Sequence, residues 1–442
     1  MRDIADRVLK QASADQTEVL ISSEASHLTR FAENCIHQNV TERNAGVRVR
    51  SIVGKKTGVA SGNDTSDEGL ARLVRAAESA ASFQKDDPDF RSLPSPQPID
   101  PTDAFCGSTA ACSPEERADG VKCIIDQARE NGLRAAGSFS TVAEEMLIAN
   151  SLGVDAYSTS TIANVRTVVM GEDSSGYGAY TDRDVTKLDP TAVGREAVDK
   201  ALRSREPSGI EPGSYTVILE EEAVADMLRS LAWMGFGALA FQENRSFMSG
   251  RLGERITGEK ITIWDDGHDL RGVPLAFDFE GMPKQKVVLI ESGVAKSVVY
   301  DSYTAGREPG RQSTGHALPS PSTMGPVPFH LFMKPGTATK DEMIAATERG
   351  IWVTRFHYTN PLHPVKTVLT GMTRDGTFLI EKGKITRPLK NLRFTQSILE
   401  AFGNADMLSP NLTAVKSVYG TFVNCVPAMR IYGFRFTGAT EF

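Results

Sequence analysis

The sequence predicts an α+β protein: an N-terminal α+β region bearing the marks of a duplication, followed by a strand-rich, mostly antiparallel C-terminal domain. Three observations carry that expectation. Helix and strand patterns alternate up to about residue 205; a glycine-bearing strand near residue 58, followed by a helix, is echoed near residue 176; and beyond residue 212 short strands divided by turn residues dominate. The expected domains are 1–90, 103–205 and 212–442.

The first unit opens on a helix over residues 2–12, with Ile4, Val8 and Leu9 at helical spacing and acids in its first turn. Glu18 to Ile21 is a short apolar strand, and the run from Leu28 to Gln38 reads as one longer strand. Val47 to Val53 alternates apolar and polar, turns at Gly54-Lys55-Lys56 and returns through Gly58 to Gly62, a hairpin signature. A helix over 66–82 carries Leu70, Leu73, Val74 and Ala77 on one face. Residues 86–102, with repeated prolines that block both helix and ladder, form the clearest linker.

After a helix at 114–131 the plan returns. Leu147 to Gly153 and Val165 to Met170 suggest strands, Gly176-Tyr177-Gly178-Ala179-Tyr180-Thr181-Asp182 echoes Gly58-Val59-Ala60-Ser61-Gly62-Asn63-Asp64, and a helix follows in each case. Ser204 to Ser214 makes a second boundary. Beyond it, strands are expected at 261–264, 273–277, 286–290, 297–300, 352–356, 367–372 and 376–380. The polar, proline-rich segment 309–328 is unsuited to a core and reads as a binding flap or a disordered loop.

Composition bounds the function. With 442 residues, 40% hydrophobic and 24% charged, the chain is an ordinary globular protein; its formal charge of -7 argues against nucleic-acid binding, which relies on clustered Lys and Arg. No apolar run reaches the roughly 18 residues of a membrane span, and no apolar signal core follows the first turn, so a cytoplasmic location is expected. The five cysteines include no Cys-x-x-Cys pair and read as structural thiols. There is no Gly-x-Ser-x-Gly elbow, and Gly235-Phe236-Gly237 lacks the Lys-Ser/Thr of a phosphate loop. The adjacency of Ser313-Thr314-Gly315-His316 says little about a triad assembled in space.

The most informative strings are Glu220-Glu221-Glu222-Ala223-Val224-Ala225-Asp226, Trp264-Asp265-Asp266-Gly267, and Phe277-Asp278-Phe279-Glu280-Gly281-Met282-Pro283-Lys284-Gln285. Taken alone, 221–233 is an amphipathic helix with acids near its positive end, and Asp265-Asp266-Gly267 is a turn. Together, and with Thr29-Arg30-Phe31-Ala32, Ile36-His37-Gln38, Asn150-Ser151-Leu152-Gly153 and Leu289-Ile290-Glu291-Ser292-Gly293, they resemble the TldD/PmbA family, whose older label is modulator of DNA gyrase. The resemblance spans nearly the whole chain.

In active TldD-like members, the resemblance implies, His-Glu-x-x-x-His holds zinc with the Glu as general base. Here Glu221 and Asp226 stand at the two histidine positions and Glu222 at that of the base. Two carboxylates in place of two imidazoles are a poor zinc set and would favour harder ions. No catalytic residue and no cofactor is therefore assigned to this chain. The substitutions resemble the PmbA/TldE branch, which implies a non-catalytic subunit that pairs with a TldD-like, zinc-bearing partner and handles extended peptide. Cys425, set in Val423-Asn424-Cys425-Val426-Pro427, lies outside the glycine-rich setting of the family's thiolate ligand and reads as structural. Two alternatives stay open: a self-sufficient peptidase with a rearranged metal site using Glu222 with Asp226, His316, His357 or His363, and a homodimeric peptide-binding protein.

Overall fold

A computed structural model of the chain describes residues 1–417 and 422–439. Its first layer is one six-stranded antiparallel sheet built from β1 (Gln16–Ala32), β2 (Cys35–Val53), β3 (Lys56–Gly62), β4 (Arg134–Asn150), β5 (Asp155–Met170) and β6 (Ser175–Asp182), in the order β3-β2-β1-β4-β5-β6. The regions 1–90 and 103–205 thus supply three strands each. They join through β1 and β4, paired from Glu18 opposite Asn150 to Phe31 opposite Gly137. The segment 86–102 contains neither helix nor strand, yet it is docked: Phe90 and Leu93 are buried beside Ile52, and Asn150 Nδ2 donates to the Pro94 carbonyl at 2.8 Å.

Strand alternation divides the side chains of this sheet between two faces. Odd-numbered residues of β1 and β4 meet helices. Val19, Ile21 and Leu147 pack with α1 (Arg2–Gln11) and α2 (Asp67–Ser82), whereas Phe31, Ala135 and Phe139 pack with Val121 and Ile124 of a later helix. That helix is α4 (Pro114–Glu130), which follows the single turn α3 (Gly107–Ala110) and neighbours α5 (Pro190–Arg203). Even-numbered residues face the C-terminal region: Ile148 packs on Phe277, and Val142 with Ile162 on Phe332 and Cys425.

The echo between the two halves has a physical basis. A Cβ on Gly58 would overlap the Ala77 carbonyl oxygen and Ala81 nitrogen of α2, and one on Gly176 would overlap the Ala197 carbonyl oxygen and Ala201 nitrogen of α5. In each half the helix backbone therefore rests directly on a glycine of the edge strand. Gly176→Ala should cost about 1–3 kcal/mol of unfolding free energy, because the helix must move off the sheet. Chemical denaturation measures it; an unchanged midpoint would mean the contact relaxes freely.

The C-terminal region begins with β7 (Gly213–Leu219) and α6 (Glu221–Gly235) and contains two further sheets. One has six strands, β8 (Ile263–Asp265), β9 (Val287–Glu291), β10 (Val294–Ala295), β11 (Leu331–Met333), β17 (Thr413–Lys416) and β18 (Val423–Val426), ordered β10-β9-β8-β11-β18-β17. The other contains β12 (Arg349–His363), β13 (Val368–Glu381), β14 (Lys384–Pro388), β15 (Leu392–Ser397), β16 (Ala405–Leu408) and β19 (Met429–Ala439) together with β7. Pairing of β12 with β13 closes β12-β7-β19-β15-β13 into a ring. Among the described strand-to-strand pairs only β7 with β12 and β11 with β18 run parallel, so the region is mostly antiparallel. The apolar stripe of α6, Ala223, Val224, Met227, Leu228 and Leu231, is buried in the large core shared by both sheets.

The structure departs from the sequence reading at five places. The run 28–38 is not one strand: Glu33 and Asn34 adopt φ of 50° and 59° and turn the chain between β1 and β2. Asn34 fits because its side chain accepts from Ala135 N at 2.7 Å and donates to Leu133 O at 2.8 Å. Residues 273–277 and 297–300 are not strands but carry isolated bridges at Phe277 and Val299; their apolar residues answer to burial, which periodicity alone does not separate from pairing. The stretches 367–372 and 376–380 fall largely within one strand, β13, bent at Asp375 and Gly376. Finally, 309–328 forms no helix or strand, but its middle is buried at Ser313, His316 and Ala317, where backbone groups are satisfied by bonds such as Ala317 N to Asp278 Oδ2 at 2.8 Å.

Candidate functional site

β7 runs parallel to β12 and passes straight into α6, so that pairing fixes where the helix starts: Glu220 N donates to Val353 O at 3.0 Å. Three consecutive carboxylates follow, the first two sharing Lys340 and the third turned elsewhere. Glu220 is buried and meets Lys200 Nζ of α5 at 2.7 Å and Lys340 Nζ at 3.5 Å. Burial works to raise its pKa, but the two ammonium groups hold it below the ordinary value. Glu221 pairs with Lys340 Nζ at 2.7 Å. Glu222 accepts from the Tyr177 hydroxyl at 3.3 Å; burial, with Asp226 adding to it, pushes its carboxyl up to about 7 against the pull of Arg355.

Asp226 is occupied on both oxygens, by Arg229 on one and by Thr359 Oγ1 at 2.7 Å on the other. Because α6 is regular from 221 to 235, Glu221 and Asp226 are separated by about 140° around the axis and diverge. A small cavity of about 70 Å³ lies against Glu222 and Asp226, and Arg166, Arg229, Arg355 and Lys416 also line it. These residues do not fit zinc: the donors are carboxylates already paired, amid guanidinium groups that repel a divalent cation. Among the described residues, no three His, Cys, Asp or Glu side chains converge as a ligand set. What remains is a buried carboxyl that exchanges a proton near neutrality, hydrogen-bonded to a phenol.

The C-terminal histidines fall into two places. His357 lies on β12, close enough to Asp226 and Arg374 to feel their charge, and His363 sits at the far end of the same strand, accepting from Lys366 N at 3.3 Å. His316 is buried elsewhere, with Nε2 2.8 Å from Asp265 Oδ1 and Nδ1 2.9 Å from Thr314 Oγ1. Thr314, His316 and Asp265 thus form a hydroxyl, imidazole and carboxylate chain. It has no substrate access at His316, whose side chain is fully buried, and the Thr314 hydroxyl is engaged by both N and O of Tyr300.

Asp265 ends β8 and is more than the turn expected there: it also accepts from His330 N at 2.7 Å and lies 3.7 Å from the buried Lys284 Nζ. No local spacing signals this cluster, since Asp265, Lys284, His316 and His330 come from separate segments that meet only in the fold. Cys425 is buried in β18, with Sγ 3.4 Å from Arg271 O and its thiol pushed up to about 12 by burial. Two larger cavities lie between the first sheet and the C-terminal region. One, of about 480 Å³, is walled by apolar residues including Met146, Ile162, Phe279 and Phe329, with Glu24 and Glu144 at its edge. The other, of about 560 Å³, is rich in arginine.

Comparison with known proteins places this arrangement. The C-terminal domain model of the PmbA/TldA metallopeptidases matches residues 212–438, the domain 1 model 17–81 and the central domain model 61–205. The chain belongs to the PmbA/TldD metallopeptidase family. A TldD homolog metalloprotease of Haemophilus influenzae is 26% identical over 389 residues, covering 82% of this chain and 79% of that one. The metalloprotease PmbA of Escherichia coli is 26% identical over 331 residues, covering 70% and 71%. An uncharacterized protein of Methanocaldococcus jannaschii is 33% identical over 190 residues, spanning less than half of either chain, 42% and 44%. The crystal structure of TldE from Thermococcus kodakarensis superposes with a TM-score of 0.90 at 21% identity, covering 99% of this PmbA/TldD chain and 100% of that one, which establishes a shared fold.

Proposed function

We propose that this PmbA/TldD-family chain is a PmbA/TldE-like subunit, without peptidase activity by itself, of a cytosolic metallopeptidase complex that degrades or processes unfolded peptides. A TldD-like partner would supply zinc and base, and this chain would complete the chamber that holds an extended peptide by main-chain hydrogen bonds. The observation that carries the reading is the state of α6: Glu221 and Asp226 point apart and are bound to Lys340, Thr359 and Arg229, in a frame otherwise shared with TldE. Among the described residues no helix is long and apolar enough to cross a membrane.

The test mixes the purified chain with a family member carrying His-Glu-x-x-x-His and follows cleavage of an unfolded peptide. Co-purification, with cleavage requiring the partner's zinc motif and enhanced by this chain, is expected. Cleavage by this chain alone, or a stoichiometric transition metal in chelator-free preparations, would overturn the proposal.

A further inference from the structure

The 560 Å³ cavity carries an unusual charge for a protein of net charge -7. Its wall includes Arg30 of β1, Arg166 of β5, and Arg355 and Arg374, which face each other across β12 and β13. The register explains the grouping. Arg30 pairs with Ser138 of β4, and Ser138 pairs with Arg166, so all three project from the sheet face turned toward the C-terminal region, where the β12–β13 ladder presents the other two.

Compensation within the cavity is slight. Arg355 is taken by Asp375, its Nε lying 2.7 Å from Oδ2. Arg374 Nε is 3.9 Å from the other oxygen of that single carboxylate, and Arg166 Nε donates to the uncharged Ser138 hydroxyl at 3.4 Å. Four guanidinium groups share one carboxylate within this wall, with Glu222 and Asp226 reaching Arg166 and Arg355 only from the adjoining cavity, and an anion placed among the four relieves their mutual repulsion. Beside them lie Phe31, Val168 and Met170, apolar surface suited to a side chain attached to the anion. The volume is within the roughly 300–1,000 Å³ range of small-ligand pockets.

We propose that this cavity is an anion site that takes the C-terminal carboxylate of an extended peptide together with its last side chain. A planar carboxylate matches the forked donors of Arg, and the neighbouring apolar wall distinguishes such a group from a free inorganic anion. The cavity shares Arg166 and Arg355 with the one beside Glu222, so a peptide ending here would extend past the α6 motif. The assignment rests on the reading that the chain handles peptides.

The test measures binding of an N-terminally labelled, unstructured hexapeptide as its free acid and as its C-terminal amide, by fluorescence anisotropy at low salt. It uses the full chain alone and in the mixture with the His-Glu-x-x-x-His partner, before and after Arg30→Gln with Arg374→Gln. Both arginines are exposed, so the variant should fold, and its melting curve checks this. The acid should bind at least about 10-fold more tightly than the amide, and the variant should lose that preference. Equal binding of acid and amide, or binding of neither, overturns the site. Inorganic phosphate bound by the wild type and not by the variant, with acid and amide alike, assigns the cavity to phosphate and also overturns it. No acid preference in the wild-type chain, with the partner's cleavage still enhanced, defeats this site alone; acid preference in the wild-type chain without enhancement defeats only the proposed subunit role.

Discussion

Asp265→Ala is expected to lower the unfolding free energy by about 3–5 kcal/mol, the cost of leaving a buried charge without its counterion. Asp265 is fully buried and accepts from His316 Nε2 at 2.8 Å and His330 N at 2.7 Å. Its third neighbour, Lys284 Nζ at 3.7 Å, is also buried and has no hydrogen-bond partner among the described residues. Burial already holds the Lys284 pKa below its ordinary value despite the attraction of Asp265, so removing that carboxylate favours a neutral amine. The variant should accordingly recover stability as pH rises. Replacing Asp265 and Lys284 together by apolar residues of similar size should cost much less than Asp265→Ala alone. Urea denaturation of the two variants decides; a single-variant loss under about 1 kcal/mol would mean that water reaches Lys284.

Arg50→Met should have an effect of similar size, about 3–5 kcal/mol near pH 8, through a different junction. Arg50 of β2 lies 3.6 Å from Glu18 of β1 and 3.2 Å from Glu280, which belongs to the C-terminal region and also accepts from Ser302 N at 3.1 Å. Without the guanidinium two buried carboxylates face each other. Burial, opposed by Arg50, has already pushed Glu18 up to about 7 in the native chain. A carboxyl whose folded pKa lies above its unfolded value stabilises fully below the unfolded pKa, and that contribution is lost as pH rises through the folded one.

The native chain should therefore lose roughly 1 kcal/mol through Glu18 between pH 6.5 and 8. Glu222, raised to about 7 by burial, acts in the same direction. His316 and His330, whose pKa values burial depresses, oppose the trend only below about 6.5, where the unfolded imidazoles charge. Glu18→Gln should flatten the slope and Arg50→Met should steepen it. A native midpoint that is flat or rising over this window would refute the assignment.

The helices α1, α2, α4 and α6 are legible in the sequence to within a residue or two because each carries an uninterrupted apolar stripe with a matching start signal. The turn at Glu33-Asn34 is not legible, because neither residue is glycine and the side-chain bonds that support Asn34 come from residues about a hundred positions away. The Asp265 cluster was illegible for the same reason: Asp265, Lys284 and His316 gain meaning only when β8 and two irregular segments meet in space.

Local information in the chain was enough for the α+β class, the repeated glycine that seats a helix on an edge strand, and the family membership carried by three strings. Periodicity and short-range spacing encode those features. That α6 is regular, that its acids diverge, and that four arginines from two sheets line one cavity depended on how distant strands pair. Charge, burial and proton affinity at these groups are set by neighbours brought together only by tertiary packing, and a linear pattern does not record them.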